Sequence, residues 1–354
     1  MRIAITGASG FVGSHLARKL LRGEIENEVY GLIRRRADSS ASKNLLNTDL
    51  LDHSRFHVVT GDITNYYSII KFLQESQPDV IFHLASQSFV PESTLNPLAT
   101  YETTLQGTLN LLEAMRNICS DKTRMVFAGS SEEYGAQFDS QSDYVSYIQQ
   151  HGNSWSEPHS YPETPINEDN VLRPQSPYAV AKAAADFACR NYAQTYGLKT
   201  IVHRCFNVEG AGRGHHFVTA SIVRQMVQYK LGEVDRVRVG NIESKRDWSH
   251  VDDIVDAYIL LGQRGRAGEV YVSGSGKQYS IIDFINIVRE KLQSPGLVTT
   301  RDHSLYRKTD VTNLLADPTK IKALGWSPKK DIRDIITDMI HYYLVKEHRV
   351  NILG

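Results

Sequence analysis

Tyr178 and Lys182 stand four residues apart in Ser176-Pro177-Tyr178-Ala179-Val180-Ala181-Lys182. That spacing puts both side chains on one face of a helix. An ammonium beside a phenol favours the phenolate and lowers a pKa that starts near ~10. Tyr178 is thus a candidate acid/base for a hydroxyl-to-ketone step beside a nicotinamide, and Lys182 a candidate to hold the cofactor ribose. Alone, Tyr-x-x-x-Lys is a common accident of surface helices. A second set of reactive groups precedes it. The apolar run Met125-Val126-Phe127-Ala128-Gly129 leads into Ser130-Ser131-Glu132-Glu133 and breaks at Tyr134-Gly135. It reads as a buried parallel strand that delivers hydroxyls and carboxylates at its C-terminal end, where open α/β sheets place their ligands.

Such a strand needs neighbours, and the chain supplies them. Arg2–Thr6 reads as a strand, followed by Gly7-Ala8-Ser9-Gly10-Phe11-Val12-Gly13 and a helix from Val12 to about Leu21. A glycine turn between strand and helix lets backbone approach a pyrophosphate and leaves helix N–H groups pointing at it. The second strand, Glu28–Ile33, ends in Arg34-Arg35-Arg36 without an acid, the nearest being Asp38. An acid there suits a ribose 2′-hydroxyl and an arginine a 2′-phosphate, which favours NADP over NAD. Phe56–Thr60 is the third strand, with Asp62 after it as a candidate adenine contact or a simple turn former. A helix is expected over Tyr66–Glu75, a fourth strand over Val80–Ala85 ending in Ser86-Gln87-Ser88, and a long helix over about Ala99–Asn117. Repeated strand-helix alternation implies a doubly wound parallel sheet, with the Met125 run as its fifth strand.

From Ala136 to Asn170 periodicity is lost, and the interspersed Tyr144, Tyr147, Trp155 and Tyr161 favour an ordered flap over disorder. A helix then runs from Ser176-Pro177-Tyr178 to about Tyr196, and a sixth strand over Leu198–Phe206. Beyond it, helices are expected over Val218–Tyr229 and Val251–Leu261, and strands over Val237–Gly240 and Glu269–Val272. Ser280 and Asp283 form a box-like cap for a helix through Leu292. Residues 1–206 thus read mainly as an NADP-binding domain carrying the 136–170 insertion. Residues 207–354 read mainly as a smaller α/β substrate lobe, with 237–262 crossing back.

The 354 residues carry 40 Lys+Arg against 40 Asp+Glu, so no net field draws in nucleic acid or an anionic membrane. No apolar run approaches bilayer length. Cys119, Cys189 and Cys205 have neither zinc nor disulfide spacing and read as reduced structural thiols of a cytoplasmic protein. His215, His216 and His250 lack a metal-site pattern, so no metal is expected. Trp248 is expected to pack under the Arg246 loop, and Lys329-Lys330-Asp331 to be solvated surface.

GASGFVG at 7–13, GDI at 61–63, the strand-five hydroxyl and YAVAK at 178–182 together resemble the extended short-chain dehydrogenase/reductase family over nearly the whole chain. Within it the sequence is most similar to the branch of GDP-mannose 4,6-dehydratases, through LASQS at 84–88, SSE at 130–132, SPYAVAK at 176–182 and FNVEGAGRG at 206–214. FVT at 217–219, GNIESKRDWSH at 240–250, YRKTDVTNLLADPTK at 306–320 and LGW at 324–326 extend the likeness. The resemblance implies a Rossmann domain with an interleaved C-terminal lobe. It places the cofactor against Gly7, Gly10, Phe11, Val12, Gly13, Arg34, Asp62, Ile63, Leu84, Ala85, Ser86, Tyr101, Tyr178, Lys182 and Arg213. It places the sugar nucleotide, GDP-mannose, against Ser88, Ser130, Asn207, Glu209, Val218, Arg246 and Arg307.

The implied reaction explains the carboxylate. Once C4 of a hexose is a ketone, its C5 hydrogen is acidic, and Glu132 can remove it while the C6 hydroxyl leaves as water. Hydride then returns from the cofactor to C6. Ser130 would bond the C4 oxygen, and Glu133 is assigned no part. An epimerase needs no such base. Val208 stands where the resemblance expects histidine, Ser221 where it expects lysine, Ser130 where it expects threonine, and the insertion is longer than it implies. Those departures leave open a dehydratase for another sugar nucleotide, an epimerase, a 4-keto reductase, or a non-catalytic dinucleotide-binding scaffold. A homodimer on the helices after Ala99 and Tyr178, or a tetramer using the Arg34–Arg36 loop, is also implied.

Overall fold

A computed structural model describes residues 1–23, 26–34, 50–152, 155–306 and 314–347. In chain order the first half forms β1 (Arg2–Thr6), α1 (Phe11–Arg22), β2 (Glu28–Ile33), β3 (Phe56–Thr60), α2 (Tyr66–Ser76), β4 (Val80–His83), α3 (Val90–Leu95), α4 (Pro97–Tyr101), α5 (Gly107–Ile118) and β5 (Arg124–Ser130). There follow α6 (Gln141–His151), α7 (Pro177–Tyr196), β6 (Lys199–Cys205), β7 (Asn207–Glu209), α8 (Val218–Lys230), β8 (Val237–Val239) and β9 (Lys245–His250). The chain closes with α9 (Val251–Arg264), β10 (Val270–Ser273), β11 (Gln278–Ser280), α10 (Ile281–Lys291), β12 (Thr299–Arg301), α11 (Thr319–Lys322) and α12 (Ile332–His341).

Seven strands pair in the order β10-β6-β5-β4-β1-β2-β3, and every pairing is parallel. This is a doubly wound, Rossmann-type sheet. The strands are apolar runs because both faces are covered. On one face Leu16 and Leu20 of α1 meet Ile254, Tyr258 and Leu261 of α9. On the other, Ile69 and Phe72 of α2 meet Leu111 and Met115 of α5 and Cys189 of α7. Each such fully buried side chain contributes roughly 1.5–3 kcal/mol. A second core joins α8, α10 and α12 through Val223, Met226, Phe284, Ile285, Ile335 and Met339, with Val237, Val239 and Trp248. A three-stranded sheet, β11-β9-β7, links the two.

Several expectations need correction. The helix expected over Ala99–Asn117 forms, its backbone helical from Pro97 through Ile118, but it carries a π-helical turn over Glu102–Gln106; ahead of it Pro91 and Pro97 stand in the first turns of α3 and α4, where a missing donor costs nothing. Thr108 Oγ1 donates to Thr104 O in the π-helical turn at 2.5 Å. The flap is ordered and includes a helix with no counterpart in the sequence reading, α6, which Ser140 caps by accepting from Asp143 N. That helix escaped notice because none of its residues is buried, so it has no apolar stripe. The flap's base is closed by Arg173, 2% exposed, whose guanidinium donates to both Glu163 oxygens at 2.8 and 2.9 Å. Trp248 lies within β9, packed on Phe284 at 5.3 Å, rather than under a loop. Lys330 is no free surface charge, since its Nζ lies 2.8 Å from Asp252 and 3.4 Å from Asp338. Asp331 caps α12. The Ser280–Asp283 box forms as read. Among the described residues no helix is long and apolar enough to cross a membrane.

Candidate active site

Ser130 is the last residue of β5, and the chain leaves it through a single 3₁₀ turn, Ser131–Glu133. Ser130 Oγ accepts from Glu132 N at 3.2 Å, and Glu133 Oε1 accepts from Ser130 N at 2.7 Å. This turn sends its two carboxylates to different environments. Glu132 remains half-buried, and its charge is felt by Tyr178. Glu133 is fully buried with Oε2 3.2 Å from Arg204 Nε. Glu133, assigned no part in the reaction, is the more deeply buried of the two and is sealed against Arg204.

Helix α7 starts where it does because Ser176 Oγ accepts from Ala179 N at 3.1 Å and Pro177 needs no donor partner. Gly197, at φ +71°, ends it. Its first two turns bring Tyr178 and Lys182, both buried, under the end of β5. Lys182 Nζ donates to Ala128 O at 2.7 Å and lies 6.0 Å from the Tyr178 ring. Burial pushes the Tyr178 phenol well above its usual pKa, and a hydrogen bond with Ser130 pulls the other way. Burial also pushes the Lys182 ammonium down to about 8, opposed chiefly by the charge of Glu133. The four-residue spacing suggested a lowered phenol; here the Lys182 ammonium stands 6.0 Å from the ring and burial is the largest influence on the phenol.

The glycine turn is shaped by close approach. Gly7 has φ +73°, and a Cβ on it would lie 2.8 Å from Ala85 N. A Cβ on Gly13 would lie 2.3 Å from Gly7 O, so only glycine lets α1 start against the strand end. Gly10 caps α1 with no side-chain bond, so the N–H groups of Phe11 and Val12 are available for an anion. This Cβ-free cradle, with Lys182 across the sheet end, fits a dinucleotide pyrophosphate and ribose. Around it, Asp62 Oδ1 accepts from Thr64 N and Oγ1, both at 3.0 Å, which is the turn-forming role. Ile63 is buried against Gly107, and Leu84, Ala85 and Ser86 follow β4, with Ser86 Oγ 2.9 Å from Thr104 Oγ1. Tyr101 ends α4 half-buried, and Arg34 is exposed just after β2. Arg35, Arg36 and Asp38 lie outside the described residues.

Arg213 links the two halves of the cleft. Its guanidinium lies 3.5 Å from the Phe217 ring centroid and 5.4 Å from that of Phe11. Glu209, 3% exposed, accepts from Thr219 Oγ1 at 2.6 Å and lies 3.7 Å from Arg213 Nε, so its carboxylate orders this loop. Asn207 Nδ2 donates to Asp247 O at 3.3 Å. Arg246 is half-buried on β9, while Ser88 and Val218 are exposed. Arg307 lies outside the described residues. His216 packs on Phe89 and Phe217, both at 4.6 Å.

Two features were missed in the sequence. Asp247, fully buried, accepts from Ser275 N, Gly276 N and Ala316 N at 2.7, 2.9 and 3.2 Å, tying three segments beside Arg246. Its place between Arg246 and Trp248 in a short strand was the available signal. The second is the buried set of Glu133, Arg204 and Asp186. His250, Asp252 and Asp338 also converge. Lys330 Nζ lies 2.8 Å from Asp252 and 3.4 Å from His250 Nε2, so an ammonium balances these carboxylates.

Residues 3–274 match the NAD dependent epimerase/dehydratase family. The GDP-mannose 4,6-dehydratase of Yersinia enterocolitica is 31% identical over 375 residues, covering 95% of this chain and 92% of that one. The GDP-6-deoxy-D-mannose reductase of Pseudomonas aeruginosa is 29% identical over 343 residues, covering 95% and 96%. RMD from Pseudomonas aeruginosa, solved in complex with NADPH, superposes with a TM-score of 0.77 at 27% identity, covering 99% and 100%.

Proposed function

The chain belongs to the NAD dependent epimerase/dehydratase family, and on that footing we propose that it is an NADP-dependent nucleotide-sugar 4,6-dehydratase, a hydro-lyase acting on GDP-mannose. The observation that carries this is Glu132, a half-buried carboxylate two residues beyond the Ser130 hydroxyl and electrostatically within reach of Tyr178. The named 4,6-dehydratase relative supports the same reading.

The roles follow from the chemistry of the groups. A bound nicotinamide would supply a reversible hydride acceptor, so that hydride lost from C4 could be restored at C6 with no net oxidation. Tyr178 would take the C4 hydroxyl proton as the phenolate, which the positive charges of Lys182 and of an oxidised nicotinamide would favour against the desolvation that raises its pKa, with Ser130 bonded to the oxygen that becomes the carbonyl. Glu132 then removes the acidified C5 proton while the C6 hydroxyl leaves as water. Lys182 holds the cofactor ribose, and the Gly7–Gly13 turn its pyrophosphate. Arg34 serves the 2′-phosphate, with Asp62 and Ile63 by the adenine, and Phe11, Val12, Leu84, Ala85, Ser86, Tyr101 and Arg213 along the cofactor. Ser88, Asn207, Glu209, Val218, Arg246 and Arg307 are assigned to the sugar nucleotide. In this division residues 1–206 mainly carry the cofactor and 207–354 mainly the substrate, with 237–262 crossing back and with Ser88, Ser130 and Arg213 serving the other side.

The reductase relative favours one rival, reduction of a 4-keto sugar without loss of water. Incubation with GDP-mannose and NADP in deuterated water separates the two. A 4-keto-6-deoxy product with deuterium at C5 supports the dehydratase; no product from any GDP sugar removes it. Leu95, Leu98, Val180 and Phe187 are exposed at 76, 83, 39 and 55% on α3, α4 and α7. Such an apolar surface supports a homodimer on these helices.

A further inference from the structure

The 136–170 insertion has no role in the proposed reaction, yet its base is fastened to both elements that carry that reaction. The 3₁₀ turn that presents Glu132 leaves through Tyr134 and Gly135, where it meets Arg173 main chain to main chain. Arg173 N donates to Tyr134 O at 3.1 Å, and Ala136 N donates to Arg173 O at 3.3 Å. The fit is close: Gly135 has φ +55°, and a Cβ on it would fall 1.7 Å from Arg173 O and 3.2 Å from Gln175 Cγ. Soon after Arg173, Ser176 caps α7, and Tyr178 stands in its first turn. Arg173 thus joins the exit of the Glu132 turn to the entry of the Tyr178 helix.

The groups that hold Arg173 come from the insertion. Its guanidinium, 2% exposed, donates to both Glu163 oxygens at 2.8 and 2.9 Å and to Ala136 O at 3.1 Å. It also lies 5.3 Å from the Phe138 ring centroid. Glu163 is fixed in turn, since its Oε2 accepts from Phe138 N at 2.9 Å and its own N donates to Phe138 O at 2.9 Å. Gln175 is gripped from both sides: it donates to Arg173 O at 2.8 Å and accepts from Tyr147 OH of α6 at 2.5 Å. Apolar side chains of similar volume would close the flap without the cost of burying two charges. What a two-pronged arginine–carboxylate pair adds is a fixed geometry. The Glu132 side chain has no ion pair among the described residues. Where it points is set by its turn, which Ser130 Oγ holds at one end and Arg173 at the other.

We propose that Arg173 is a positioning residue and the insertion its brace: locked by Glu163, and through Gln175 by Tyr147, it holds the Glu132 turn at a fixed distance and angle from Tyr178. This rests on the proposed function in taking Glu132 as the C5 base and Tyr178 as the C4 acid/base. Glu132 must reach C5 of a sugar whose C4 oxygen is held at Ser130 and Tyr178. A loosened turn therefore slows loss of water while oxidation at C4 continues. The test is single-turnover reaction of the intact chain with GDP-mannose and NADP, following reduced nicotinamide and 4-keto-6-deoxy product together, for wild type, Arg173→Lys and Glu132→Gln. Lysine keeps the charge but cannot serve both Glu163 oxygens and Ala136 O at once. Arg173→Lys should lower the product rate by about 10–10²-fold, the scale of a misplacement of about 1 Å, with the absorbance burst and NADP affinity within about twofold of wild type. Should Arg173→Lys fail to fold, Arg173→Met with Glu163→Gln removes both buried charges and keeps an oxygen for the Phe138 N–H, and the same split is expected. Failure of that pair to fold as well assigns Arg173 to the fold alone and overturns the inference. Product at the wild-type rate, or burst and product falling together, also overturns it, and on its own account when wild type is active and Glu132→Gln is not. Wild type without product, or Glu132→Gln at the wild-type rate, overturns the proposed function and the inference with it.

Discussion

Glu132→Gln is the sharpest perturbation of the proposed chemistry, because it changes one proton-accepting group and little else. The main-chain bond that shapes its turn runs from Glu132 N to Ser130 Oγ and survives the change. No ion pair of the Glu132 side chain occurs among the described residues, and the side chain is half-buried. The fold should therefore be altered by less than about 0.5 kcal/mol. A positioned general base contributes about 10²–10⁴-fold, or roughly 3–5 kcal/mol at 1.36 kcal/mol per tenfold. Product formation from GDP-mannose should fall by that factor and deuterium incorporation at C5 should fall with it. NADP affinity and the thermal midpoint should stay at wild-type values. Oxidation at C4 does not use this carboxylate, so a burst of reduced-nicotinamide absorbance should persist without loss of water. A variant that still releases 4-keto-6-deoxy product within about threefold of wild type would refute the assignment of Glu132 as base.

Other expectations touch separate parts of the molecule. Tyr178→Phe should cost about 10²–10⁴-fold in turnover while NADP still binds, which also separates an enzyme from a binding scaffold. Gly13→Ala should weaken NADP binding at least about tenfold in a fluorescence titration, since its Cβ would fall 2.3 Å from Gly7 O and push α1 from the strand end. Asp247→Leu should destabilise the chain by roughly 3 kcal/mol or more in denaturant unfolding, because the buried Ser275, Gly276 and Ala316 N–H groups lose their acceptor. Asp252 and Asp338 titrate below the usual carboxylate range, chiefly through hydrogen bonds from His15 and His250 respectively. A depressed folded-state pKa means their stabilisation is complete above the unfolded value near ~4 and is lost as pH falls through the folded values. The thermal midpoint should thus decline on acidification below that point, and Lys330→Met should flatten the decline.

The sequence by itself determined the doubly wound sheet and the pairing of Tyr178 with Lys182. Both depend on local regularities: apolar runs of strand length, a glycine turn whose geometry excludes a Cβ, and four-residue spacing on a capped helix. The six strands and the helix from Pro177 to Tyr196 fall where their own residues place them. Only tertiary structure decided what lies between and beneath. The π-helical turn at Glu102–Gln106 has no signature in the residue spacing of the Ala99–Asn117 stretch, and α6 presents no buried face to read. Asp247, Lys330 and Arg204 are joined to Ala316, Asp252 and Asp186 across 69, 78 and 18 residues of chain, so local spacing does not reveal these pairings. The same holds for the two neighbouring glutamates after β5. Their residue types are identical, and one remains half-buried while the other is sealed against Arg204. Burial and the charges it brings together depend on how distant elements pack, which composition and spacing do not encode.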